Sequence, residues 1–183
     1  LYNRRDAWLA INGVHMLTKE PVGKLIELVG RFPGVSRRFE TLSPNLYTDY
    51  AHTPEKISAA INVALEATKN SGQKIVVVYE PLTNRRMHYI KEQHKELFKG
   101  IDKLYWVPSY LAREDSSQKV LEPAELITYL GADTKPLAEP AKLDDTLKAK
   151  ISSHLSQGDL VLALSGGGGR SLDEWLRNNF SSH

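Results

Sequence analysis

Residues 74–79 read Lys-Ile-Val-Val-Val-Tyr and residues 160–164 read Leu-Val-Leu-Ala-Leu, two unbroken apolar runs of strand length. A strand without polar alternation must be covered on both faces. That condition is met in parallel sheets flanked by helices on each side. Segments with helical spacing lie where such a fold needs them. Ile57, Ala60, Ile61, Ala64 and Leu65 make one apolar stripe, opened by Thr53-Pro54-Glu55, in which Thr can cap and Pro suits the first turn. Further helices are expected over 86–98, 123–130, 142–155 and 172–178, and strands over 36–41, 45–49 and 103–107. This alternation predicts a doubly wound, mainly parallel α/β sheet of Rossmann-like build, with flanking helices. Residues 6–17 and 22–29 are also helical in spacing, but no strand alternates with them. They are expected to be a helical remnant of a preceding domain, residues 1–33, leaving 34–183 as the α/β domain. The opening at Leu1 reads as the interior of a longer protein.

Composition narrows the function classes. Twenty-four Lys and Arg are interspersed with twenty-two Asp and Glu, and no basic run follows a nucleic-acid backbone. No stretch approaches the roughly 18 apolar residues of a membrane span, and no signal peptide is visible. The absence of cysteine excludes disulfides and thiolate metal sites, and a cytoplasmic location is expected. His15, His88, His94 and His154 lack metal-ligand spacing, so no metal site is expected and core or solvent-facing roles suit them better.

In open α/β sheets ligands bind at the carboxyl ends of the strands. Three segments fall there: Asp49-Tyr50-Ala51-His52, residues 80–86 and residues 165–170. Asp49 can accept from ribose hydroxyls and Tyr50 can stack on a base; a capped turn with a buried Tyr is the plain alternative. The run Gly166-Gly167-Gly168-Gly169 before Arg170 lacks the Lys-Ser/Thr of a phosphate loop, so loop flexibility explains it better than an anion cradle. Arg37 and Arg38 can reach phosphates or pair with Glu40 and nearby acids, with Arg38 the preferred site residue. Arg85 and the stretch 113–117 are expected on the surface, and Trp106 and Trp175 in packing.

Asp49-Tyr50-Ala51-His52-Thr53-Pro54 resembles the Asp-Tyr-x-His-x-Pro motif of the C-terminal domain of the Mur ligase family. Ser36-Arg37-Arg38-Phe39-Glu40 is similar to the segment that enters this domain, and Asn3 to the first Asn of the motif closing the central domain. The strand ending in Glu80-Pro81 and the small-residue loop after Leu164 also resemble family features, in collinear order. The resemblance implies an ATP- and Mg²⁺-dependent amide ligase of cell-wall precursor synthesis. Its partners would be a UDP-N-acetylmuramate-type precursor and an amino-acid or peptide amine, joined through an acyl phosphate. It implies that Arg86, His52 and Tyr50 bind substrate, with His52 the candidate for a catalytic role, and that Asn3, Arg38 and Asp49 face the nucleotide. ATP and Mg²⁺ would be held mainly by a domain outside these residues. The pattern departs from alanine-adding members at Leu82-Thr83 and from the family's usual residues at Asp6 and Thr53, whereas Ser36-Arg37-Arg38-Phe39-Glu40 and the Thr53-Pro54 variant are met in alanine-adding members. Glu80-Pro81 with Asn84 and the Gly-rich run look closer to members that add a tripeptide. A non-catalytic α/β module that binds a nucleotide or a protein is the reading from another class.

Overall fold

The computed structural model describes residues 2–32 and 34–180, with side chains from Arg4 onward. The chain divides into two compact units, Leu1–Val35 and Ser36–His183. The first unit is a helix pair, α1 (Tyr2–Thr18) and α2 (Val22–Gly30). Within it Ile11 and Leu25 are buried, while Trp8, Leu9, Met16 and Leu17 are exposed.

The second unit is a six-stranded sheet in the order β1-β2-β6-β3-β4-β5. Its strands are β1 (Glu40–Ser43), β2 (Leu46–Asp49), β3 (Ile75–Glu80), β4 (Lys103–Trp106), β5 (Ala138–Pro140) and β6 (Leu160–Ser165). Only β1 runs antiparallel to its neighbour; every other pairing is parallel. Every residue of β3 and β6 is buried, as their apolar sequences require. The pleat divides their side chains between two cores. Ile75, Val77 and Tyr79 pack with α3 (Pro54–Thr68), Met87, Phe98, Trp106 and Leu126 on one face. Val76 and Val78 pack with Leu147 and Ile151 of α6 (Asp145–Ser156) and Leu172 and Leu176 of α7 (Leu172–Phe180) on the other.

The topology sets the switch point. From β2 the chain crosses by α3 to β3, then moves outward through α4 (Asn84–Ile90), β4, α5 (Pro123–Ile127) and β5. It returns by α6 to lay β6 between β2 and β3. Asp49, Glu80 and Ser165 therefore finish neighbouring strands at the same edge, with Asp49 level with Leu164, and Glu80 with Ser165.

Four local expectations change. Residues 36–39 form a turn, not a strand, because Arg37 and Phe39 take left-handed backbone at φ 56° and 49°. The Glu40 carboxylate fixes that turn by accepting from Ser36 Oγ at 3.0 Å and Arg37 N at 2.7 Å. The helix expected over 86–98 ends at Ile90 and continues as a 3₁₀ turn, Lys91–Glu96. That tightening carries His94 into the core, where Nδ1 lies 3.1 Å from both Ile90 O and Lys91 O and the ring packs beside Trp106. Thr53 stands at the α3 N-cap but makes no side-chain cap hydrogen bond. The short edge strand β5 carried no period that marks it in the sequence.

Replacing Leu162, fully buried at the centre of β6, by Ala should cost about 2–5 kcal/mol in urea unfolding. Replacing Leu111, 53 % exposed, should change stability by less than about 0.5 kcal/mol.

Candidate functional site

The loop after β2 is built around Tyr50. Its backbone N–H donates to Arg37 O at 2.8 Å, and its ring makes an edge contact with His52 at 4.7 Å between centroids. Three cations surround that ring: the Arg37 guanidinium 4.6 Å from its centroid, Arg38 at 5.8 Å and Lys56 Nζ at 5.9 Å. Beside them Asp49 Oδ2 accepts from Phe39 N at 2.8 Å. Burial raises the Asp49 pKa above the ordinary carboxylate value, while this hydrogen bond and Arg38, Lys56 and Arg37 oppose the rise.

His52 is buried, and burial lowers its pKa, with Lys56, Arg86 and Arg38 adding to the effect. The ring is thus neutral near neutral pH. Its Nδ1 lies 3.1 Å from the Tyr50 carbonyl, which can only accept, so Nδ1 carries the proton and Nε2 is left as an acceptor.

Arg86 lies in the first turn of α4. Its Nη1 reaches His52 O at 3.5 Å, bringing the ends of β2 and β3 together. Thr83 precedes α4 with φ 60° and ψ 133° and accepts from Arg86 N through Oγ1 at 3.3 Å. Positive φ on a β-branched residue costs on the order of 1–3 kcal/mol and persists only where its surroundings hold it. Here Thr83 N donates to Tyr110 O at 3.0 Å, and Tyr110 N to Pro81 O at 2.8 Å.

Glu80, only 3 % exposed, joins β3 to the last loop. Ser165 Oγ donates to Oε2 at 2.6 Å and Leu172 N, at the start of α7, to Oε1 at 2.9 Å. Burial is the largest influence on its pKa and raises it. The loop itself is not simply flexible. A Cβ on Gly166 would lie 2.8 Å from His52 Cβ and Cγ, and one on Gly167 2.6 Å from Ser171 Cβ and 2.7 Å from Tyr110 Cδ2. The first two glycines are buried packing positions; Gly168 and Gly169 are exposed.

A second layer of charge supports the loop. Arg37 Nη2 donates to Ser165 O at 2.9 Å, and its Nε lies 3.5 Å from Asp173 Oδ2. Asp173 also accepts from Thr48 Oγ1 at 2.7 Å and Arg177 Nε at 3.1 Å. Arg177 forks onto Glu40 at 3.2 and 2.6 Å, and this pairing holds the Glu40 pKa down at about 2. Arg37 is thus committed to the scaffold, whereas Arg38 is exposed at the rim.

The structure brings together Tyr50, His52, Asp49, Arg38 and Arg86. Asn3 belongs to α1, and its side chain lies outside the described residues. Lys56, Tyr110 and Asp173 take part in the site or its support and were missed in the sequence. Glu80 lies at the strand end where it is expected, and Glu114, in the stretch expected on the surface, is half-buried and accepts from Asn84 N and Arg85 N. Of the three missed, only Lys56, one turn beyond the Tyr50 motif on an expected helix, carried a usable signal. Among the described residues no group of three or more His, Asp or Glu could hold a metal, and no helix is long and apolar enough to cross a membrane.

A mainly parallel α/β domain with a carboxylate, an imidazole and guanidinium groups at one sheet edge carries them at the switch point, the place where open α/β sheets bind ligands. Residues 37–167 match the family described as Mur ligase, glutamate ligase domain. The chain belongs to that family. It is 35% identical over 114 residues to the UDP-N-acetylmuramate–L-alanine ligase of Campylobacter curvus (strain 525.92), covering 60% of this chain and 26% of that protein. It is 29% identical over 143 residues to the ligase of the same name from Brucella ovis, covering 76% of this chain and 30% of that one. The chain thus spans less than a third of these relatives. A crystal structure of a murein peptide ligase from Psychrobacter arcticus shares the fold, with a TM-score of 0.57 and 20% identity over 97% of this chain and 37% of that one.

Two predictions follow from the geometry. Gly166→Ala should destabilise the domain by about 1–3 kcal/mol through the clash with His52. Gly169→Ala, whose Cβ would meet nothing nearer than Glu174 Oε2 at 3.8 Å, should be near neutral in thermal unfolding. The second concerns acid. Glu40 has its folded pKa depressed to about 2 from 4.5, so its stabilisation is complete above about 4.5 and lost as pH falls through that window towards 2. Glu40→Gln should remove about 1–2 kcal/mol at pH 6, the pair being partly exposed, and little at pH 2. Urea unfolding at the two pH values measures the difference. An equal loss at both would refute the assignment.

Proposed function

We propose that this chain is the C-terminal domain of an ATP-dependent UDP-N-acetylmuramate–L-alanine ligase, with residues 1–33 the closing helices of its central ATP-binding domain and 34–183 the C-terminal domain. The observation that carries this reading is the meeting of Asp49, His52 and Arg86 at the ends of β2 and β3, with Arg86 Nη1 3.5 Å from His52 O. A non-catalytic module has no need of that convergence.

The roles follow from chemistry. Arg86 offers a planar fork for the carboxylate of the incoming amino acid. Asp49 keeps Oδ1 for ribose hydroxyls, since its hydrogen bond to Phe39 N uses Oδ2. Arg38 lies at the rim for phosphate, and Tyr50 provides a ring face. His52 is the candidate for handling a proton, because its neutral Nε2 is an acceptor. In the reaction the γ-phosphoryl group of ATP passes to the precursor's carboxylate, releasing ADP. The amine nitrogen then attacks the acyl carbon, phosphate leaves, and the amine gives up a proton. The acyl phosphate hydrolyses if water reaches it, which favours a site closed between domains. ATP and Mg²⁺ would be held mainly by the domain that precedes these residues. The chain would work in the cytoplasm, where UDP-linked precursors are made.

The 183 residues contain no Gly-x-x-x-x-Gly-Lys-Ser/Thr loop. The purified chain should therefore release no phosphate from ATP above background. In the ligase that carries this domain, Arg86→Ala should raise the KM for L-alanine about 30-fold or more, with little change for ATP. Arg86→Lys should recover little, because a point charge does not reproduce the fork. Asp49→Ala should weaken ATP use instead. Saturation curves in each substrate measure both. An alanine KM within about twofold of the parent for Arg86→Ala would move the clamp elsewhere. Turnover with a tripeptide and none with L-alanine would favour the tripeptide-adding alternative.

A further inference from the structure

We infer that Glu114 is a positioning residue for the Arg86 clamp, acting by setting the start of α4; the inference rests on the reading of Arg86 given above. Glu114 lies thirty residues beyond Asn84, the first residue of α4, in a loop after β4. Its carboxylate nonetheless sits on the first turn of that helix. Oε1 accepts from Asn84 N at 3.2 Å and Ala112 N at 2.9 Å, and Oε2 accepts from Arg85 N at 2.9 Å.

A helix leaves its first four N–H groups without internal partners. At the start of α4 all four are accounted for: Tyr110 O takes that of the N-cap Thr83 at 3.0 Å, Glu114 takes those of Asn84 and Arg85, and Thr83 Oγ1 takes that of Arg86. A carboxylate there also meets the positive end of the helix dipole. The contact is reciprocal. Asn84, 1 % exposed, donates through Nδ2 to Lys119 O at 3.0 Å and accepts through Oδ1 from Leu121 N at 2.8 Å. The loop of residues 112–121 and the end of α4 are thus clasped at both ends.

This matters because Arg86 is held weakly by anything else. Among the described residues its guanidinium makes one hydrogen bond, the 3.5 Å contact to His52 O. Its direction is set by the helix turn that bears it, and that turn is set by Thr83 and Glu114. Thr83 is itself strained, so it needs outside support to keep its backbone. Without Glu114 the amides of Asn84 and Arg85 would turn to water at modest cost. The fold would survive while Arg86 lost its aim.

The test uses the ligase that carries this chain, with ATP and L-alanine. Glu114→Ala should raise the alanine KM about 5- to 20-fold, leaving kcat and the ATP KM within about twofold. Glu114→Gln should recover part of the loss, since its remaining oxygen still accepts from Asn84 and Ala112 while its amide cannot accept from Arg85. In the 183-residue chain Glu114→Ala should speed amide hydrogen exchange at Asn84 and Arg85. The double variant with Arg86→Ala should bind alanine no worse than Arg86→Ala alone, because both act through one group. An unchanged alanine KM despite faster exchange would make Glu114 a helix cap only and overturn the inference. Additive losses in the double variant would overturn it as well. A normal alanine KM in Arg86→Ala alone would instead remove the clamp assignment, whatever the exchange rates report.

Discussion

The parallel pairing of β6 with β3 is the constraint from which the rest follows. Six consecutive residues match, from Ile75 opposite Leu160 to Glu80 opposite Ser165. Both strands are wholly buried, and their alternate side chains belong to two separate cores. A slip of one residue would exchange the two sets and place Glu80 inside an apolar layer. The register is therefore fixed by hydrophobic burial. It is that register which puts a hydroxyl opposite a buried carboxyl group at the strand ends. The polar arrangement of the site is imposed by the apolar arrangement beneath it.

Charge then does a second task, at the rim. Arg37, Asp173, Arg177 and Glu40 tie the entry turn, β2 and α7 to the Ser165 carbonyl. Such pairs add little to stability when exposed, but these are partly buried and share partners. They keep the turn of residues 36–39 in a backbone that its sequence does not favour. The consequence is a division of labour between adjacent arginines. One is spent on the scaffold, and its neighbour stands exposed at the surface.

Much of this was legible in the sequence, for physical reasons. β3 and β6 announce themselves because a doubly covered strand has no polar positions. The α3 stripe is visible because a helix packed on a sheet repeats every three to four residues. The meeting of Asp49, His52 and Arg86 could be expected once the strands were ordered, since ligands gather where strands end. What stayed hidden depends on long-range pairing or unusual backbone. The turn at Arg37 and Phe39 needs left-handed residues that are not glycine. The 3₁₀ turn before Leu97 answers to the burial of His94, which no local pattern encodes. Glu114 caps a helix thirty residues earlier, and the glycine run conceals two packing positions beside two open ones.

The two margins of the sheet have a bearing on its fate in solution. A parallel, apolar interior forms late in folding and tends to recruit other chains along any free strand. Here one margin is β1, four residues long with a bulge between Thr41 and Ser43. The other is β5, three residues ending in Pro140, with Glu139 paired to Lys103 and Lys150. Neither offers a neighbour enough regular, unpaired backbone to extend the ladder. A domain with so sticky a centre thereby carries its own guard against growing into an aggregate.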